Sequence, residues 1–437
     1  MTKLSTILYT LVILVISGLG SNLYAQNLQP FFIKDVFQQS YYNPALNTKG
    51  NINLATTLGV DISTNGPSLA EITNETNDGK LVISAETALD NMNDYNDIYG
   101  YTNIHTLDFS INTPLVRLTV GHALKASGWT QYSKNLAELI TYGNAPYVGQ
   151  TLDIGPKFDF LSYHEFYLGV QKSFGPLSVG ANFKYLSGTN AFKTESSKLE
   201  LTTSDDIYQL HVNTDYRVLS SNSFVFEDIT NFDLNVDNYD FNNAFNGNNG
   251  FAIDLGAAFE VNDKLQLSAS IMDLGSINWN TESYVYSSNI SKSYEGVDIS
   301  DYFNNEEEFA IEDSLKNLLE LEEEDVEFST SLPSHIYIGG TYQLTSSLAV
   351  GALIHSRGSG DQRTNSLALN ATTTIGGWLS VGGMYVIKEN NFSNLGLFAS
   401  GKIGPVRGFI STDNVVSYLS PENAKSANII AGLNIQI

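Results

Sequence analysis

The 437-residue chain contains no cysteine, so neither a disulfide framework nor a lipid on an N-terminal cysteine is open to it. Stability has to come from backbone ladders and packing. Cations are scarce as well: Lys and Arg total 22 against 47 Asp and Glu, a formal net charge of −25. That balance opposes binding to nucleic-acid phosphates. Charged residues of both signs make up only 16% of the chain, and beyond the N-terminus no periodic apolar run suggests a long buried helix. What is plentiful is Tyr (24), Phe (23) and Gly (35), as expected of many strands joined by turns. The length exceeds an ordinary single core, an arithmetic that large barrels escape.

Residues 1–25 read as a cleaved secretion signal. Lys3 supplies the positive end, Ile7 to Ile16 the apolar stretch and Leu23-Tyr24-Ala25 the cleavage site before Gln26, and the apolar stretch is too short for an anchor. The exported chain is then expected to divide into residues 26–48, an N-terminal segment, and residues 49–437, a run of strands with long loops.

The last eleven residues set the pattern. Ala427, Ile429, Ala431, Leu433, Ile435 and Ile437 fall on one face and mostly polar or small residues on the other, in a strand long enough to cross a bilayer. The same alternation runs through Leu177, Val179, Ala181, Phe183 and Tyr185, and through Leu265, Leu267, Ala269 and Ile271. Tight turns are expected near 113–115, 174–176, 261–263, 344–346, 375–377 and 403–405. Longer connections are expected around 64–100, 126–163, 188–250, 275–333, 358–363, 388–392 and 413–425.

Short and long connections therefore alternate, which is how outer-membrane barrels are built, with turns on the periplasmic side and loops outside. About six turns and seven loops join about fourteen strands. The expected fold is all-β: a closed antiparallel transmembrane barrel with both termini periplasmic. Residues 193–218 are ambiguous; their polar pattern suits an extracellular ribbon, and counting them as transmembrane would give about sixteen strands. A soluble sandwich also alternates, but here the apolar faces are almost free of charge while the opposite faces carry Lys184, Asp254, Lys264, Ser268, His335, His355 and Asn370. These seven are the candidate lumen-lining residues. Trp279, Trp378, Tyr342, Tyr385, Phe259 and Tyr185 suit the interfacial aromatic girdles.

Just before the first strand stands Asn43-Pro44-Ala45, where Pro44 removes a donor and biases Asn43 to an extended backbone. This element resembles one in FadL-like outer-membrane barrels and in the related PorP/SprF-type barrels associated with type IX secretion. Tyr142-Gly143-Asn144-Ala145, Glu165, Asp273-Leu274-Gly275 with Trp279, Leu332-Pro333 and Thr412-Asp413-Asn414 extend the resemblance over nearly the whole exported chain. It implies a roughly fourteen-stranded barrel whose N-terminal segment lies inside as a hatch, with Asn43, Pro44 and Ala45 at the junction. The final Ile437 departs from the aromatic residue usual at the end of such barrels.

No constellation points to catalysis or metal. The six histidines are scattered, no G-x-S-x-G elbow occurs, and no enzyme activity or cofactor is expected. Residues 301–328, with Glu306-Glu307-Glu308, Glu320 to Asp325 and leucines 315, 318 and 319, read as an amphipathic helix with a solvated acidic face. The oxygen-rich stretches 237–249 and 88–94 read as ordinary loops. Two functions stay open. One is a FadL-like plugged channel passing small molecules, apolar ones included, as the resemblance implies. The other is a non-catalytic accessory barrel of a multi-protein assembly such as the type IX secretion system. Membrane lipids and lipopolysaccharide are the expected surroundings, with other outer-membrane or periplasmic proteins as partners in the second reading.

Overall fold

The computed structural model describes residues 28–75, 81–205, 209–222, 224–226, 232–234, 245, 247–294, 321–359, 362–388 and 391–437. Residues 1–25, read as a secretion signal, and the helix expected around leucines 315, 318 and 319 lie outside them, as does most of the loop 237–249.

Alternating residues drive the chain into one antiparallel barrel of 14 strands. They are β1 (Ile52–Thr64), β2 (Tyr95–Asn112), β3 (Arg117–Ser133), β4 (Lys157–Phe174), β5 (Leu177–Thr203), β6 (Asn249–Asn262) and β7 (Leu265–Trp279). The second half is β8 (Ser334–Gln343), β9 (Leu348–Ser359), β10 (Gln362–Ile375), β11 (Leu379–Lys388), β12 (Asn391–Ile403), β13 (Val406–Thr412) and β14 (Ser426–Gln436). Each pairs with the next, and β14 returns to β1 through Leu54↔Ile435, Leu58↔Ala431 and Ile62↔Ala427. That pairing closes the ring and leaves no open edge. The outer face carries exposed Leu58, Val60, Phe109, Val120, Leu168, Phe183, Leu267, Leu369, Leu397 and Leu433, while the inner face buries Asn53, Thr57, Asp61, Ser400, Asn428 and Asn434. An apolar exterior around a polar interior is the arrangement of a bilayer-spanning barrel.

All six tight turns fall where the alternation places them. The long connections differ from expectation on one side of the ring, because the strands are longer there. β3 runs to Ser133 and β5 spans 27 residues, far beyond the 9–11 that cross a bilayer. From Ala191 onward β5 pairs with Leu210–Ser221. That strand in turn pairs with Ser283–Ser288 and Ser291–Tyr294. This ribbon rises from the long-loop end of the barrel on its own core of Phe158, Phe192, Leu199, Val212, Tyr216 and Val218. It adds no strand to the ring, so residues 193–218 do not raise the count to sixteen.

Two local expectations need correction. Residues 88–94 are partly helical, in Ala85–Asp90, because Ser84 caps Thr87 N at 3.2 Å. Within the acidic stretch, Glu322–Asp325 form a strand on Tyr284–Ser287, since a partner strand there outweighs helical spacing.

Candidate functional site

Residues 28–48 lie against the inner wall. Leu28, Phe31, Phe32, Ile33, Val36 and Phe37 are all buried, and each such side chain gains roughly 1.5–3 kcal/mol from leaving water. Polar contacts fix the path between them. The backbone N–H of Leu28 donates to Asp413 at 2.8 Å, and Gln38 Nε2 donates to the carbonyls of Thr56 and Leu433 at 3.2 Å. Arg117 donates to Pro44 O at 3.1 Å and Thr48 Oγ1 at 3.2 Å.

Asn43 is central to this docking. Its Nδ2 donates to Ala257 O and Ala269 O, both at 3.1 Å, and its Oδ1 accepts from Ala45 N at 2.9 Å. The wall makes room with glycine. A Cβ on Gly256 would stand 2.0 Å from Asn43 Oδ1, and one on Gly180 2.3 Å from Pro44 O. Tyr41 stacks on His105 with ring centroids 3.7 Å apart, and its hydroxyl donates to Asp108, which also accepts from Tyr167 at 2.6 Å.

Beyond this segment the lumen holds a charge cluster drawn from five consecutive strands, β3 to β7. Lys184 Nζ lies 2.6 Å from Asp273, 2.8 Å from Asp254 and 3.3 Å from Glu165; Lys125 Nζ lies 2.8 Å from Glu165 and 3.3 Å from Asp273. Two ammonium groups thus bridge three carboxylates in a buried place, where removing one partner is far more costly than the pair is worth. Strict alternation would put Asp273 on the outer face with Ile271. A bulge opposite Ile253 and Leu255 prevents this. Asp273 adopts φ 59° and its N–H donates to Asp254 Oδ1 at 2.7 Å, so the extra residue turns the carboxylate inward and reverses every later side chain of β7. A second bulge between His105 and Leu107 likewise brings both His105 and Asp108 to the inside.

Of the lumen candidates, Lys184 and Asp254 belong to this cluster. His335 and His355 meet at 3.0 Å beside Tyr337, and Asn370 donates to Gly383 O at 3.1 Å on the inner wall. Ser268 is half-buried on the inward face of β7. Lys264 is the exception: it sits exposed in the β6–β7 turn, because the strand pairing ends at Asn262↔Leu265. Trp279 also departs from its girdle role. It is fully buried, with its indole N–H on Thr330 at 2.9 Å, because the bulge at Asp273 reverses its side. Trp378, Tyr342, Tyr385 and Phe259 are exposed, and Tyr185 is half-buried against Phe245. Lys125, Glu165 and Asp273 are members of the buried cluster that the sequence did not single out for the lumen. The signal for Asp273 was an acid in the middle of an alternating apolar strand, next to Leu274-Gly275.

Between the N-terminal segment and the cluster remains a cavity of about 100 Å³, room for a few waters. Tyr99 and Arg357 border it and also border a second cavity of about 390 Å³ toward the long-loop end. The Arg357 guanidinium lies 4.4 Å from the Tyr99 ring centroid, so this pair stands between the two spaces.

A family model described as "Family of unknown function (DUF5723)" matches residues 44–413, and the chain belongs to that family. No curated protein matches the chain. Among solved structures it is similar to the Pseudomonas putida toluene transporter TodX, with 9% identity and a TM-score of 0.41 over 96% of this chain and 94% of that one. It is also similar to a Pseudomonas aeruginosa FadL homologue, with 10% identity and a TM-score of 0.42 over 96% of this chain and 97% of that one. A deltaS2S3 mutant of the TodX monoaromatic hydrocarbon channel gives 9% identity and a TM-score of 0.45, over 91% and 94%. Identities and scores of this size leave the architecture to be read from the chain's own strand pairing.

Proposed function

For a DUF5723 member with this inner wall, we propose an outer-membrane barrel that passes small solutes through a lumen held closed at rest by residues 28–48. The observation that carries the reading is the docking of Asn43-Pro44 into glycine gaps of β5 and β6, which shuts the short-turn end with hydrogen bonds that a modest displacement can break. The charge cluster and the ring of Tyr41, Tyr99, Tyr101, Tyr167 and Tyr337 around the inner cavity suit small polar solutes better than long apolar ones. In this reading residues 1–25 are removed on export. The short turns and both termini face the periplasm, and the apolar belt meets membrane lipid and lipopolysaccharide.

The test is single-channel recording in planar bilayers. Removing residues 26–42 should raise conductance well above that of the intact exported chain. Equal conductance would refute the plug and with it the gated passage.

A second reading is favoured by one feature, the ribbon on its own core at the long-loop end, which offers a rigid platform to other proteins. It would make the barrel an accessory subunit of an envelope assembly, type IX secretion included, with the PorP/SprF-type barrels as kin. A stoichiometric partner set recovered from native outer membranes would select it.

A further inference from the structure

The cavity of about 390 Å³ at the long-loop end is at the small end of the range for ligand pockets, and its lining has a charge opposite to that of the chain. Lys157, Lys193 and Arg357 border it, against Asp159 and Glu195. Glu195 is already engaged, with Arg217 Nε at 2.5 Å. Among the described lining residues cations thus outnumber carboxylates, three to two, in a protein whose formal net charge is −25. Flat apolar surface stands beside these charges, from Trp129, Phe158 and Tyr99. Trp129 is held in place, its indole N–H donating to Asp97 at 3.0 Å. Arg357 is buried, and its guanidinium lies over Tyr99.

We infer that this vestibule is a binding site for a small organic anion with a flat apolar part. The carboxylate of such a molecule meets Arg357 at the floor and Lys193 at the side, and its apolar part lies against Trp129 and Phe158. Arg supplies a planar donor set matched to a carboxylate, and a rigid indole offers a face at little entropic cost. Arg357 also borders the inner cavity, so a bound anion would sit at the boundary between the two spaces. The site's role as the entry of a passage rests on the proposed channel; binding itself does not.

Benzoate is the probe, titrated against the intact exported chain in lipid nanodiscs while tryptophan emission is followed. Benzylamine and benzyl alcohol carry the same ring without the negative charge. Saturable quenching by benzoate is expected, lost in Trp129→Phe, and weakened about tenfold or more in Arg357→Gln. Lys193→Gln, at a half-buried position, should weaken it several-fold and reads the same site if Arg357→Gln fails to fold. Benzylamine binding as tightly as benzoate would overturn the proposal, as would quenching that survives Trp129→Phe or affinity untouched by both charge substitutions. Conductance is recorded separately, so a closed lumen with intact benzoate binding would sink the channel and leave this site standing.

Discussion

One amide side chain, that of Asn43, serves three backbone groups: the carbonyls of Ala257 and Ala269 and the N–H of Ala45. Truncating it strands a buried donor and two acceptor positions, at a cost of about 1–3 kcal/mol. In Asn43→Ala, amide exchange over residues 41–46 should therefore quicken by about tenfold or more, with the barrel strands unchanged. Unaltered protection at those amides would mean that the apolar contacts of Phe31 to Phe37 hold the segment unaided. The importance of Asn43-Pro44-Ala45 was readable in the sequence, but its partners were not. They stand 214 and 226 positions away on two strands whose register no local pattern reveals. Asp273 was hidden for a different reason. Alternation predicts its side only while the strand stays regular, and a single left-handed residue cancels the prediction for everything after it.

Strands β1 and β14 are the elements that the sequence describes best, because each has one apolar face and one polar face with no bulge across their shared seam. Leu58 lies midway along β1, faces outward and is 48% exposed. Arg at the bilayer midplane of such a barrel costs about 2–4 kcal/mol, falling to about 0–1 kcal/mol near the interface. Leu58→Arg should show the larger cost and Ile437→Arg, at the short-turn rim, the smaller, both measured by urea titration of folding into liposomes. Equal costs would argue against a membrane-facing seam. The turns were equally legible from Gly-Pro, Asn-Asp and Gly-Gly pairs. The long connections were not, since β3 and β5 continue in the polar, mixed pattern of a water-exposed strand, which looks like loop until the partner strand Leu210–Ser221 is known.

At the scale of the whole molecule, two layers with separate cores share one set of strands. The lumen is packed by the N-terminal segment against Ala258, Met272, Tyr337, Leu353 and Met384, and the ribbon is packed by Phe192, Leu199, Tyr216 and Val218. β5 belongs to both, and the handover falls near Ala191, where its pairing passes from barrel neighbours to ribbon. Tyr216 is fully buried in the ribbon, its hydroxyl donating to Pro156 O at 2.8 Å, and no barrel strand pairs with its segment below Ala191. Removing a buried aromatic costs about 3–5 kcal/mol, which exceeds what a four-strand ribbon of this size is expected to hold in reserve. In Tyr216→Ala, limited proteolysis should therefore cut between residues 191 and 221, while the barrel keeps its heat-sensitive shift on a denaturing gel. If the shift disappears as well, the ribbon and the barrel form one cooperative unit, and the ribbon at the long-loop end takes part in closing the ring.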